Sequence, residues 1–539
     1  MEHTEKPAQA LRPSRREILR LAALAAGGAL LRPAAGLADL TRDVELVEAT
    51  FATLGAALAC GELTGPGLLE LYLERIATVD AGEGGTHALL EIDEDARPVT
   101  AAGALHGLPI LLKDNIETAG RMLTTAGSLA LAAAPAGRDA FLVRRLRAHG
   151  AVIVGKTNLS EWANFRSTRS TSGWSARGGQ TRNPYALDRN PCGSSSGSGV
   201  AVSANLCAAA VGTETDGSIV CPATANGIVG VKPTLGLVSR TGVVPIAHSQ
   251  DTAGPMARTV RDAALLLAAM AGVDPEDPVT AQIPAAWRHD YFAALTARLD
   301  PGALRGARIG VARNLFGFDP RVDALMEDAL SAIAEAGATL ADPAELPHRG
   351  EYDDAEWTVL TYEFKADLER YLATRPETGM RTLADLITFN QAHREREMPW
   401  FGQEIFEQCA ELGPLTEPEY REALATCRRL SRDEGLDRVI AEHRLDALVA
   451  PTGGPAWLTD WVNGDSYGGG YSTASAVAGY PHVTLPAGFV FGLPVGLSFF
   501  GPAWSEPALL GFAHAFEQAT RHRRPPRFLP TAALSGTTG

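Results

Sequence analysis

The chain has 539 residues, 45% of them hydrophobic and 21% charged, with 55 glycines and 34 prolines. That balance excludes a disordered, collagen-like or coiled-coil protein, and a chain this long buries enough surface to need no disulfide scaffold. The net charge is −15, and residues 39–539 hold 42 basic against 60 acidic residues, a net −18. A nucleic-acid partner, which demands Lys and Arg against phosphates, is therefore not expected.

In chain order, residues 1–38 read as an export signal. Ser14-Arg15-Arg16-Glu17-Ile18-Leu19 is a twin-arginine pattern, and the apolar run 21–31 behind it has the length of a signal-peptide core and is too short to span a bilayer. Gly36 and Ala38 supply the small residues ahead of a cleavage site. The expectation is a periplasmic protein with no stable membrane insertion after signal removal. The alternatives are a basic amphipathic N-terminal helix and a cytoplasmic chain.

Helical spacing of apolar residues predicts helices over 44–58 and 68–76, and short apolar runs predict strands over 87–92 and 108–112. A helix over 141–149, stopped by Gly150, leads into a strand over 151–154. This alternation predicts an α/β core with parallel strands. Residues 200–212 read as a helix, or a helix followed by a strand. The charged stretch 350–440 reads as helical, either an inserted cap or a helical layer. Strands return at 447–449, 483–485 and 495–500, and a last helix covers 507–518. A Pro/Arg-rich tail, 526–539, is expected to be loose. With no linker between 45 and 520, residues 39–525 form one catalytic-size domain, expected to act as a monomer.

Six cysteines show no C-x-x-C pair and no framework spacing, so free buried thiols are expected. Twelve histidines include no H-E-x-x-H, and neither a metal nor a cofactor is expected. The cations are more telling. Only Lys6, Lys113, Lys156, Lys232 and Lys365 stand against 43 arginines. A lysine kept in such a chain marks a place where guanidinium cannot serve, because Lys deprotonates when buried and Arg does not.

Three stretches carry chemistry. Pro191-Cys192-Gly193-Ser194-Ser195-Ser196-Gly197-Ser198-Gly199 reads as a flexible linker, a phosphate loop or a site that presents hydroxyls at a tight turn. It contains G-x-S-x-G, but a loop with two prolines precedes it, and the downstream His443, His482 and His514 have no distinctive setting. Gly212-Thr213-Glu214-Thr215-Asp216-Gly217-Ser218-Ile219 reads either as a surface turn or as a set of backbone N–H donors around one hydroxyl. Gly107-Leu108-Pro109-Ile110-Leu111-Leu112-Lys113-Asp114-Asn115 puts a lysine at the end of a buried strand, where desolvation lowers its pKa from about 10.4 toward that of a usable base, unless it snorkels or pairs with Asp114.

Taken together, in order and spacing, the three stretches resemble the amidase signature family. Gly155 to Trp162, Gln180 to Pro184, Gly230 to Thr234 and Asp251 to Arg258 add to the resemblance, which runs at least over 106–262. It implies a large mixed sheet covered by helices on both faces, and a Ser-cisSer-Lys triad of Lys113, Ser194 and Ser218. It also implies a cis Gly193–Ser194 bond, an oxyanion hole from the backbone of Thr215, Asp216, Gly217 and Ser218, a supporting role for Ser195, and scaffold roles for Lys156 and Lys232. Departures from the common wording fall at Cys192, Ser196, Ser198 and Asp216. "CGSSSGSG", "GTETDGSIVCPA" and "EWANFR" are most similar to the bacterial peptide amidases, which implies release of ammonia from C-terminal peptide amides through an acyl-enzyme. The alternatives are a general aliphatic or aryl amidase, a silent amide-binding protein, a Ser-His-Asp hydrolase and the glutaminase subunit of an amidotransferase.

Overall fold

The computed structural model describes residues 45–98 and 103–533, so the twin-arginine segment and its apolar run lie outside the described residues. Thirteen strands are described: β1 (Leu89–Ile92), β2 (Pro109–Lys113), β3 (Val152–Thr157), β4 (Trp174–Ser175), β5 (Gly179–Gln180), β6 (Ala209–Glu214), β7 (Val229–Lys232), β8 (Thr252–Ala257), β9 (Arg308–Val311), β10 (Thr339–Ala341), β11 (Ala447–Pro451), β12 (His482–Val490) and β13 (Leu493–Phe500). β4 and β5 pair as a separate ribbon, and the other eleven form one sheet in the order β1-β3-β2-β6-β8-β7-β12-β13-β11-β9-β10.

The sheet is mixed, as the family resemblance implies, and not parallel throughout, as the alternation alone suggests. Only the runs β3-β2-β6 and β11-β9-β10 are parallel. β8 runs against both β6 and β7, and β12 doubles back onto β13 through Phe491 and Gly492, both at positive φ. A two-residue hairpin turn of type I′ has that backbone geometry at both positions. β9 and β10, short and set among charged residues, escape periodicity analysis.

The central strands are buried on both faces, which suits near-continuous apolar runs. Ile110 and Leu112 join the larger core with helices Val260–Met270, Pro320–Glu335 and Glu506–Thr520. Leu111 faces the opposite side, toward the residues of helix Ser196–Ser203 and helix Val220–Ala225. By the two-residue period of a strand, Lys113 continues the Leu111 side. Gly197 lets the first of these helices approach the sheet, since a Cβ there would sit 2.2 Å from the Ala88 carbonyl oxygen.

Several sequence-based bounds shift for physical reasons. The first helix is Phe51–Cys60, because Thr50 caps it in a reciprocal pair with Thr53. Residues 200–212 resolve into helix and then strand. The tail is tied down beyond residue 525: the Phe528 amide donates to the Pro184 carbonyl at 2.9 Å and the Leu187 amide to the Leu529 carbonyl at 2.8 Å. The 350–440 segment is mostly helical. Its helices Asp353–Ala373, Leu383–Ala392 and Glu404–Ala410 build their own core, with Phe364, Leu368 and Phe406 packed on Trp162, Phe165 and Ile246 of the loops above the sheet.

Candidate active site

Lys113 is the last residue of β2, and β6 runs parallel beside it with Leu112 level with Val211. That register sets the lysine against the end of β6. Its Nζ donates to Ser194 Oγ at 2.8 Å, to Thr213 Oγ1 at 2.8 Å and to the Thr213 carbonyl at 3.1 Å. The side chain is wholly buried, and burial pushes its pKa down to about 7 against the opposing pull of Asp251 and Glu214. Lys156 and Lys232 are equally buried, each pushed down to about 8. They bond elsewhere, Lys156 to Thr124 Oγ1 at 2.8 Å and Lys232 to the Pro233 carbonyl at 3.2 Å. Of the three candidate lysines only Lys113 meets a serine of the 193–195 turn.

The Gly193–Ser194 bond is cis. The turn is joined to the second serine motif through the Ser195 amide, which donates to the Ser218 carbonyl at 3.2 Å. Ser195 Oγ itself donates to the Thr213 carbonyl at 3.0 Å and accepts from the Thr213 amide at 3.2 Å, a support for the end of β6. Behind the turn, Ser198 Oγ donates to the Val211 carbonyl at 3.1 Å and pairs with Thr157 Oγ1 at 2.8 Å. Ser196 and Ser198, unusual by family wording, thus act in packing the helix and not in the pocket: Ser196 Oγ donates to the Cys192 carbonyl at 2.6 Å.

Residues 214–218 form a donor turn held from three directions. Glu214 Oε2 accepts from the amides of Ile219 at 2.7 Å and Val220 at 3.0 Å, folding the chain back on itself. Thr215 Oγ1 donates to Asp251 Oδ1 at 2.5 Å, and the Thr215 carbonyl accepts from Gln250 Nε2 at 3.3 Å. Asp216 accepts from Ser472 and from Thr473 Oγ1, the latter at 2.7 Å. Gly217 has φ +77°, which turns the run of amides around and which an L side chain rarely adopts. Such a turn costs no reorganisation when charge develops in front of it. The 350–440 segment reaches this turn as well, since Gln250 Nε2 also donates to Glu356 Oε1 of helix Asp353–Ala373 at 2.8 Å.

The expectation of free thiols needs correction at two positions. Cys192 and Cys221 form a disulfide, their Cα atoms 5.9 Å apart, whereas Cys60, Cys207, Cys409 and Cys427 are free. The two partners lie 29 residues apart and on opposite sides of the Ser195–Ser218 contact, so only the fold brings them together. Sequence reasoning also misses the part played by Thr213 and by Asn115, whose Nδ2 donates to Thr213 Oγ1 at 3.0 Å, and the anchors Ser472 and Thr473. Asn115 and Asp251 fall within recognisable motifs; Ser472 and Thr473 carry no local signal.

The histidine alternatives do not assemble. His482 is buried, with Nε2 2.6 Å from Ser498 Oγ, and burial pushes its pKa down to about 3. His514 sits beside Glu517, and His443 lies at the end of helix Asp437–His443. Among the described residues one group has metal-competent atoms close together: His248, Glu363 and Asp367. They already bond one another and the Ser249 amide, Tyr420 and Arg370.

The structure thus sets a buried lysine on a serine hydroxyl, beside a clamped turn that ends in a second serine. The Amidase family model matches residues 68–510, and the chain belongs to that family, whose members act on amide C–N bonds. It is 52% identical to the native peptide amidase from Stenotrophomonas maltophilia, with a TM-score of 0.84, over 89% of this chain and 99% of that one. An amidase family protein from Bacillus anthracis is 33% identical, with a TM-score of 0.83, over 97% of this chain and 100% of that one. A probable amidase of Arabidopsis thaliana is 40% identical over 514 residues, 91% of this chain and 93% of its own. The protein is a carboxamide hydrolase of amidase-signature architecture. Among the described residues, no helix is long and apolar enough to cross a membrane.

Proposed function

We propose that the protein, acting as a monomer, removes the terminal amide nitrogen of peptide amides as ammonia, with Ser218 as nucleophile, Ser194 as relay and Lys113 as base. The observation that carries the proposal is the wholly buried Lys113 Nζ at 2.8 Å from Ser194 Oγ. Neutral Lys113 accepts the Ser194 proton, Ser194 takes that of Ser218, and Ser218 Oγ bonds to the amide carbon. The amides of Thr215, Asp216, Gly217 and Ser218 meet the oxyanion. The proton returns through Ser194 to the amide nitrogen, the C–N bond breaks and ammonia leaves. Water then attacks the ester along the same relay, yielding the carboxylic acid and free Ser218.

Preference for a terminal amide is supported by the likeness to the peptide amidase and by the cap, whose Glu356 is tied to the donor turn through Gln250. The test is ammonia released from an amidated peptide set against cleavage of the same peptide extended by one residue. We expect the amidated form to be favoured by at least ~100-fold, on the scale of a pocket that excludes a whole residue. Equal rates would leave a general amidase.

Export through the Arg15-Arg16 signal belongs to the same proposal. The Cys192–Cys221 disulfide supports it, because disulfides persist in oxidising compartments. Replacing both arginines with lysine should empty the periplasmic fraction of activity. An unchanged distribution would end the export reading.

A further inference from the structure

A second cavity, of about 260 Å³, lies between the 350–440 segment and the body of the protein. It shares Arg240 and His248 with the cavity that contains Ser194, and its lining includes none of Lys113, Ser194 and Ser218. Its charge is the opposite of the chain's. In a protein of net charge −15, three arginines and a histidine line it, and no Asp or Glu does.

One of the arginines is already satisfied, since Arg240 Nε donates to Asp277 Oδ2 at 2.9 Å. The other two are not. Arg428 and Arg432 make no ion pair or side-chain hydrogen bond among the described residues, whereas Arg429 beside them pairs with Glu434 at 2.9 Å. Arg428 is exposed, at the rim. Arg432 lies deeper, in the π-helical segment Arg429–Leu436, and its Nε is buried without a partner. The guanidinium stands over the Tyr480 ring, 5.7 Å from Cζ to the centroid, and the Tyr480 hydroxyl occupies Asp437 Oδ2 at 2.8 Å. Burial lowers the Arg432 pKa; Tyr480, Asp437 and Asp433 oppose that shift and Arg428 adds to it. Ser249 Oγ, also in the lining, is likewise buried without a partner. Arginine does not shed its proton, so a half-buried guanidinium of this kind is relieved only by an anion.

We propose that this cavity binds a small oxyanion, an inorganic phosphate or a short carboxylate, on the Arg432 guanidinium, with Ser249 Oγ as a second donor and Arg428 at the entrance. A planar guanidinium fork suits both ligands. The site holds for any amide substrate and goes beyond the peptide-amide reading. It also touches the reaction site, because Gln250, next to Ser249 and in the same lining, donates to the Thr215 carbonyl of the donor turn at 3.3 Å. An anion that fixes Ser249 steadies this contact, so occupancy should raise kcat.

Titration calorimetry of the full chain with sodium phosphate and with sodium acetate, at constant ionic strength, tests this. We expect saturable binding of one anion per chain, weakened at least ~10-fold in Arg432→Met by loss of a charge-assisted contact. Arg429→Gln, on the same segment and outside the lining, should bind as wild type does. Tighter phosphate assigns the inorganic ion, and tighter acetate assigns a carboxylate. Melting curves check folding. Ser249→Ala leaves the guanidinium in place and should weaken binding about fivefold, which keeps the test decisive if Arg432→Met is unstable. No saturable binding of either probe overturns the site, and so does equal binding by wild type and both cavity variants. An equal loss in Arg429→Gln would mark a general effect of surface charge and also overturn it. Ammonia release at saturating amide should rise with the bound anion in wild type and not in Arg432→Met. Saturable binding with unchanged kcat overturns the link to the donor turn.

Discussion

Ser218→Ala should abolish turnover and covalent acylation together, with kcat down by at least ~10³-fold, because the acyl bond then has no atom to form on. Ser194→Ala and Lys113→Met should fall by a comparable factor, since each breaks the same proton path. Members of one relay act as a unit, so the Ser194→Ala/Ser218→Ala double variant should be little worse than the worse single. Met keeps the length of the lysine stem in a wholly buried site, and a melting curve separates lost chemistry from lost folding. The acyl group is located by mass spectrometry of a trapped intermediate. Acylation at Ser195 would refute the assignment, and the hydrogen bonds of Ser195 to Thr213 argue for a supporting place instead.

The rate should rise with pH through a limb near 7. Lys113 works only when neutral, and burial has brought its pKa down to about 7, so kcat/KM should climb about tenfold per unit below that value and level off above it. The sign follows from the cation: protonation at low pH removes the base. Asp251 supplies a control, because its charge raises the lysine pKa from across the pocket. Asp251→Asn should move the limb to lower pH while lowering the plateau, since the anchor of Thr215 is weakened. A limb near 10.5 would mean that the lysine is unperturbed and that another group is the base. A profile of kcat/KM from pH 5 to 10 on one amidated peptide decides between them.

How much of the molecule is legible in the sequence differs by level. The strands that bury both faces are short apolar runs, so β2, β3, β11 and β13 can be placed from sequence, and so can the last helix, whereas helix Thr473–Ala478 cannot. The three positions proposed to act in catalysis are legible for a different reason. Chemistry at a strand end needs a fixed residue at a fixed offset, and Lys113, Ser194 and Ser218 each belong to a distinctive local pattern. The scarcity of lysine makes Lys113, Lys156 and Lys232 stand out, but their contacts are needed to tell the base from the scaffold.

What only the tertiary structure decides are the relations between segments far apart in the chain. Pairing direction depends on neighbours in space, so the antiparallel β8 and β12 are invisible to an alternation of helix and strand. The disulfide joins cysteines with no framework spacing, because the Ser195–Ser218 contact brings their turns together. The anchors of the donor turn come from Asp251, whose motif is recognisable but says nothing of this contact, and from Ser472 and Thr473, which carry no local signal. The charged stretch 350–440 carries enough helical signal to show its texture and nothing to show its place. Its position above the site follows from Phe364, Leu368 and Phe406 finding apolar partners in loops more than a hundred residues upstream. Local spacing determines which elements form and which residues can react. Long-range packing determines which of them meet.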